Sequence, residues 1–436
     1  MIRLIVTASI YIASLLPVSA ATDIQEVTSP GGITAWLVQE DSIPMVAIQF
    51  NFRGGASQDT LEKLGATNLM VGLLEEGAGP LNATQFAERS DELGARFRFS
   101  TGRDYVSITA SMLSANLDES VALLGLAINT PNFDSVAFER VRGQVNSGLR
   151  SDETDPQSIG SKALRELTFP NHPYGLHSDG TLETVAALTP DDMRNAHAAA
   201  LGRNNVFIGV VGAITPEELG GLLDDLLGGL PDDISDHVTD VTPELSSGVT
   251  TIAFETPQSV ITFSQPGLPR DHPDYLTAYV LNHIVGGRSS TARLNVEVRE
   301  KRGLTYGISS FLLPYQHAAL FMGSFSSSNQ TAGEAVEIVR QEWVKVASQG
   351  VTEEELETAK RYLTGAYPLR FDGNAEIAGI LAGLQSADLP RTYTQERNDL
   401  VNAISLDEIN RVAAQLFQPE NLHFMVVGKP QGLPAD

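Results

Sequence analysis

The 436 residues contain no cysteine. That excludes disulfides, thiolate nucleophiles and every zinc site built on sulfur. Basic side chains are scarce: 29 Lys and Arg stand against 54 Asp and Glu, for a net charge of −25. Binding to nucleic acid or to an anionic membrane needs a cationic surface, so neither is expected. No two of the eight histidines lie three or four residues apart, so no helix face presents two imidazoles to one metal. The chain also lacks a G-x-S-x-G elbow, a dinucleotide fingerprint and a phosphate loop. Beyond the first twenty residues, no apolar run is long enough to span a bilayer.

What is present describes a globular chain. Hydrophobic residues make up 42% and charged residues 19%, enough for two or more domains with their own cores. The opening "MIRLIVTASIYIASLLPVSAATD" has a positive start at Arg3, a short apolar stretch and small residues at Val18 and Ala20. It predicts a signal peptide over residues 1–20 and a periplasmic or secreted product; an uncleaved anchor is the alternative. After signal removal no membrane association is expected.

Internal repetition organises the rest. "LTPDDMRNAHAAALGRNNVFIGVVG" (Leu188 to Gly212) aligns without gaps on "ISLDEINRVAAQLFQPENLHFMVVG" (Ile404 to Gly428) at an offset of 216, with six identities. Each copy reads as an N-cap (Thr189 or Ser405) with acids in the first turn, an apolar-periodic helix, a turn at Asn205 or Asn421, and a strand ending Val-Val-Gly. Weaker echoes lie upstream. The prediction is an α+β fold of two homologous duplicated domains, 21–230 and 249–436, each an antiparallel sheet flanked by helices. The polar, acidic stretch 231–248 joins them.

Few residues suggest chemistry. His172 and His177 sit in a Pro/Gly loop with Asp179, where turn stabilisation is the ordinary role and a metal the alternative. His283 lies on an apolar helix and reads as a hydrogen-bonded core residue. The serines of "GGRSST" and "SFSSSN" read as caps and a turn, and the acid pairs Glu75-Glu76 and Glu353-Glu354-Glu355 as helix faces. One stretch stands apart in so acidic a chain: "LNVEVREKRGLTYGI", with Arg299, Lys301 and Arg302 close together. A helix over Val296–Arg302 ending at Gly303 would project Arg299 from its last turns, with Tyr306 opening the next strand. Guanidinium and phenol can both donate to a carbonyl oxygen or a developing oxyanion. Alternatively Arg299 pairs with Glu297 or Glu300, and Tyr306 packs in the core.

Two segments resemble a family. "NHPYGLHSDGTLETVAALTPDDMRNAHAAALGRNNVFIGVVG" is similar to the HPYG-to-VVG segment of zinc metallopeptidases of the pitrilysin and mitochondrial-processing-peptidase type. "GGRSSTARLNVEVREKRGLTYGISS" is similar to that family's R-x6-Y segment. The resemblance covers essentially the whole mature chain. It implies two homologous domains closing like a clamshell around an extended peptide. Peptide-hydrolysing members carry H-x-x-E-H in the first domain, where two histidines bind zinc and the glutamate activates water. Here the matching helix is "GATNLMVGLLEEG": Asn68 stands for the first histidine, Val71 for the glutamate and Gly72 for the second histidine. Glu139, in "FERVRGQV", falls near the family's third ligand.

Arg299 and Tyr306, by contrast, match the R-x6-Y pair residue for residue. The resemblance implies that they bind the substrate carbonyl across the cleft. It implies a non-catalytic subunit with no metal or other cofactor of its own, while a homologous H-x-x-E-H partner carries the zinc. The substrate would be a peptide. A non-enzymatic peptide-binding or scaffold protein is the alternative, since relatives serve as scaffold subunits of respiratory complexes.

Overall fold

The computed structural model describes residues 23–434; the expected signal segment 1–20 lies outside the described residues. The first sheet contains β1 (Gln25–Thr28), β2 (Thr34–Gln39) and β3 (Met45–Arg53), followed by a separate small hairpin of β4 (Gly77–Ala78) and β5 (Leu81–Asn82). It is completed by β6 (Arg96–Thr101), β7 (Tyr105–Leu113) and β8 (Val206–Gly212), in the order β1-β2-β8-β3-β7-β6. The second sheet uses β9 (Gly248–Ala253), β10 (Gln258–Pro266), β11 (Ile308–Pro314), β12 (Ala319–Ser328) and β13 (His423–Gly428), in the order β11-β12-β10-β13-β9. Without β1 the two orders coincide. The single parallel pair, β2 with β8 or β9 with β13, recurs at the same place. Residues 231–247, between the sheets, carry no helix or strand.

Sequence pattern explains the elements. Along β7, Val106, Ile108, Ala110 and Met112 are buried while their neighbours are not, the two-residue period of a strand with one face on the core. The duplicated segment repeats its local chemistry. Thr189 and Ser405 each accept a hydrogen bond from the backbone N–H three residues on. β8 and β13 end at Gly212 and Gly428, with φ of 150° and 153°. A Cβ at Gly212 would lie 2.2 Å from the Met45 carbonyl oxygen, and one at Gly428 would lie 2.5 Å from Ser259 Oγ. Both turns therefore require glycine.

The halves are interlocked by exchanged helices. Helix Pro156–Thr168, from the first half, lies on β10 and β13 of the second sheet. Helix Asn374–Ser386, from the second half, lies on β3 and β8 of the first. Ala378, Leu381 and Leu384 thus share an apolar cluster with Trp36, Val38, Ala47 and Val211. Leu164 shares another with Leu320 and Met425. Each sheet is covered on one face by a helix that the other half supplies.

Candidate functional site

The helix that the sequence resemblance sets against a zinc-binding helix spans Ala66–Val71. Asp59 caps its start, accepting from Gly65 N, Thr67 N and Thr67 Oγ1 at 2.6–3.2 Å. Burial pushes the Asp59 carboxyl up to about 6 in spite of these bonds. Asn68 is half-buried, Val71 buried and Gly72 exposed. An amide, an isopropyl group and a hydrogen atom provide no imidazole or carboxylate, so the residues present do not fit zinc. Glu139 does not supply the lack. A Cβ on Gly72 would touch Val141 at 3.1 Å, so residue 141 faces this helix. Glu139, two residues earlier on its own helix, projects from the opposite side and pairs with Arg142.

The histidine loop is mainly structural. His172 Nδ1 accepts from Tyr174 N at 3.1 Å, and its Nε2 lies 2.9 Å from the Thr239 carbonyl. His177 Nδ1 accepts from Asp179 N at 3.2 Å. Asp152, rather than His172, joins His177 and Asp179 in one cluster, with candidate ligand atoms within 4.8 Å of one another. Burial, and then the nearby Arg165 charge, hold the His177 imidazole below its usual range. His283 corrects the expectation of a hydrogen-bonded core residue: it stacks on Tyr362, centroids 4.9 Å apart.

Arg299 and Tyr306 are brought together. The segment departs from the expected α-helix over Val296–Arg302: residues Asn295–Glu300 form a wide π-type turn, with Lys301 N bonded to Val296 O at 3.0 Å. Such turns are uncommon and frequent at functional sites. Gly303 ends the segment at φ 65°. Arg293 anchors its start through a two-pronged pair with Glu355, at 2.6 and 2.7 Å. Burial would raise the Glu355 carboxyl, but this fork and the Thr352 N–H and hydroxyl outweigh it and hold the group at about 2. Strand β11 begins at Ile308, two residues after Tyr306.

Neither local alternative holds. Glu297 is taken by Lys301 and Arg302, at 2.6 and 2.8 Å. The Arg299 guanidinium forms no ion pair or hydrogen bond among the described residues. Tyr306 is 90% exposed. Both line a cleft of about 600 Å³ together with Arg288, Asn295, Thr305 and the serines Ser289, Ser290, Ser309, Ser324 and Ser326. The lining contains no acid, so this is a positive, donor-rich cleft in a strongly acidic chain. Gln157 reaches it from the exchanged first-half helix. The edge strand β11 borders it. Ser324 and Ser326 lie within β12, not in the turn expected for "SFSSSN". Reading the sequence piecewise missed Arg288 and Gln157, because nothing local links them to Arg299.

Residues 36–181 match the domain described as insulinase (peptidase family M16), and residues 187–363 match the peptidase M16 inactive domain. A Helicobacter pylori protein named as a non-peptidase homologue is 25% identical over 88% of this chain and 89% of its own length. A Bacillus subtilis protein named as an uncharacterized zinc protease is 24% identical over 90% and 96%. The crystal structure of a peptidase M16 inactive domain from Pseudomonas fluorescens superposes with a TM-score of 0.88 at 25% identity, covering 95% of this chain and 99% of the other.

Proposed function

Because the chain belongs to peptidase family M16, as a homologue without the family's metal ligands, we propose that it is the non-catalytic subunit of an exported heterodimeric zinc peptidase. Its partner is a homologous chain that carries H-x-x-E-H. One observation carries this reading: among the described residues the Arg299 guanidinium has no partner, and it lies beside an exposed Tyr306 in an acid-free cleft. A guanidinium left without a counter-ion in a chain of net charge −25, next to a phenol ring left in solvent, is an arrangement awaiting a ligand.

Zinc and a general base, which would activate the attacking water, would belong to the partner chain. This chain supplies the other side of the reaction. Arg299 and Tyr306 donate to the carbonyl oxygen of the scissile peptide and hold it as negative charge develops. The outer side of β11 offers unpaired backbone groups to an extended peptide, a mode of binding that reads main chain before side chains.

The test is reconstitution. Turnover of a fluorogenic peptide is measured for this chain, for an H-x-x-E-H homologue from the same source, and for the mixture. Cleavage should require the mixture. If the homologue is equally active alone and the two do not associate, the heterodimer reading fails and a peptide-binding or scaffold role replaces it.

A further inference from the structure

A second cationic site lies away from the Arg299 cleft, where the exchanged helix Asn374–Ser386 leaves the second half. Arg397 is 4% exposed. Its Nη1 donates to the Leu363 carbonyl at 2.8 Å and to Asn398 Oδ1 at 3.1 Å, but among the described residues no carboxylate meets its charge. A cleft of about 230 Å³ opens beside it, and two further guanidiniums, Arg270 and Arg370, line it. Neither has an ion pair or hydrogen bond among the described residues. The walls are Tyr275, Tyr279, Tyr367 and Tyr393, and none of their hydroxyls is engaged elsewhere among the described residues.

The charge balance is the argument. The aromatic faces give partial relief: Arg270 lies 4.5 Å from the Tyr275 centroid, and Arg397 lies 4.6 Å from that of Tyr367. Such contacts are weak beside the cost of burying a cation without a counter-ion, and Arg397 is the buried cation. Among the described residues of this acidic chain, three guanidiniums in a single cleft have no carboxylate partner. The geometry points to a binding site for a small dianion, phosphate or a phosphate monoester, held by Arg270, Arg370 and Arg397 with tyrosine hydroxyls as added donors. Three unneutralised guanidiniums suit a dianion better than a carboxylate, and their forks match phosphate oxygens. Ile380 and Leu384 of the exchanged helix also line the cleft, so the bound anion sits against the element that joins the halves.

The site is tested by isothermal titration of the mature chain with inorganic phosphate, glycerol phosphate and acetate at constant ionic strength. One saturable phosphate-class site per chain is expected, with acetate at least about tenfold weaker. Tighter binding of glycerol phosphate than of phosphate would identify a monoester as the ligand; equal binding would identify free phosphate. Arg370→Ala, at an exposed position, and Arg270→Ala should each weaken binding at least about tenfold, the loss of roughly one charge-assisted hydrogen bond. Arg302→Ala, elsewhere on the surface, should leave it unchanged. No saturable binding, or binding that survives both Arg370→Ala and Arg270→Ala, overturns the proposal and leaves Arg397 as a structural cation held by tyrosines and a carbonyl.

Discussion

At the scale of single residues, what distinguishes Arg299 from its neighbours is the lack of a partner. Lys301 and Arg302 share Glu297, whereas the Arg299 guanidinium lines the cleft without an ion pair among the described residues. In a reconstituted pair, Arg299→Ala and Tyr306→Phe should each lower peptide turnover about 10²–10³-fold, the usual consequence of losing one oxyanion donor. Lys301→Ala should change it little. Comparable losses for Lys301 and Arg299 would indicate a generic basic patch; thermal melts serve as the folding control. Glu355 makes a separate, pH-dependent prediction. Its folded-state carboxyl is held at about 2 against an ordinary 4.5, so its contribution is present above about 4.5 and is lost as pH falls towards 2. Glu355→Gln should therefore cost stability at neutral pH, on the order of 1–3 kcal/mol for a charge-assisted pair. The gap from wild type should close between pH 4.5 and 2. A gap that stays constant across that range in urea unfolding would remove the ion pair as the cause.

At the scale of elements, the exchanged helices make a pair of contacts whose residue sizes are reversed. Gly160, on the first-half helix, packs against Val427 and Met425 of β13. In the other half the glycine is on the strand: Gly209 of β8 meets Ala378 of the second-half helix. A Cβ at Gly209 would lie 2.1 Å from the Ala378 carbonyl oxygen, a backbone atom that cannot move alone. Gly209→Ala should destabilise by about 1–3 kcal/mol, as overpacking does. Gly160→Ala meets side chains and no backbone, Val427 at 3.0 Å and Met425 at 3.8 Å. Gaining up to about 1 kcal/mol of helix propensity, it should be near neutral. Denaturant midpoints of the two variants decide the matter, and equal losses would mean that the contacts are not as close as described.

At the scale of the whole molecule, the duplicated fold carries Asn68, Val71 and Gly72 in one half and the Arg299 and Tyr306 cleft in the other. The isolated protein should hold no stoichiometric zinc after dialysis, measured by elemental analysis, because Asn68, Val71 and Gly72 offer no suitable donor. One tightly held zinc per chain would shift attention to Asp152, His177 and Asp179. The complex with an H-x-x-E-H homologue should be stable on size exclusion and bury roughly 1,600 Å² or more.

Some of this was determined by sequence alone. Periodicity and capping residues act locally, so the Thr189 and Ser405 caps, the paired Val-Val-Gly strands and the duplication could be read along the chain. The family resemblance rested on residues that lie close together in sequence, as did the loss of the metal donors at Asn68, Val71 and Gly72. What only the tertiary structure decided depends on distant partners. Whether Arg299 is free turns on Glu297 choosing Lys301 and Arg302, and on Arg293 being tied to Glu355, 62 residues away. The wide turn at Asn295–Glu300 replaced the expected helix for the same reason: its hydrogen-bond pattern answers to the packing around it, which helix periodicity does not encode. The helix exchange was invisible because an amphipathic face specifies that it must be buried, but not against which sheet. The Arg270, Arg370 and Arg397 cleft gathers residues from separate stretches of the second half, and the cost of leaving Arg397 without a carboxylate arises only once folding has removed it from water.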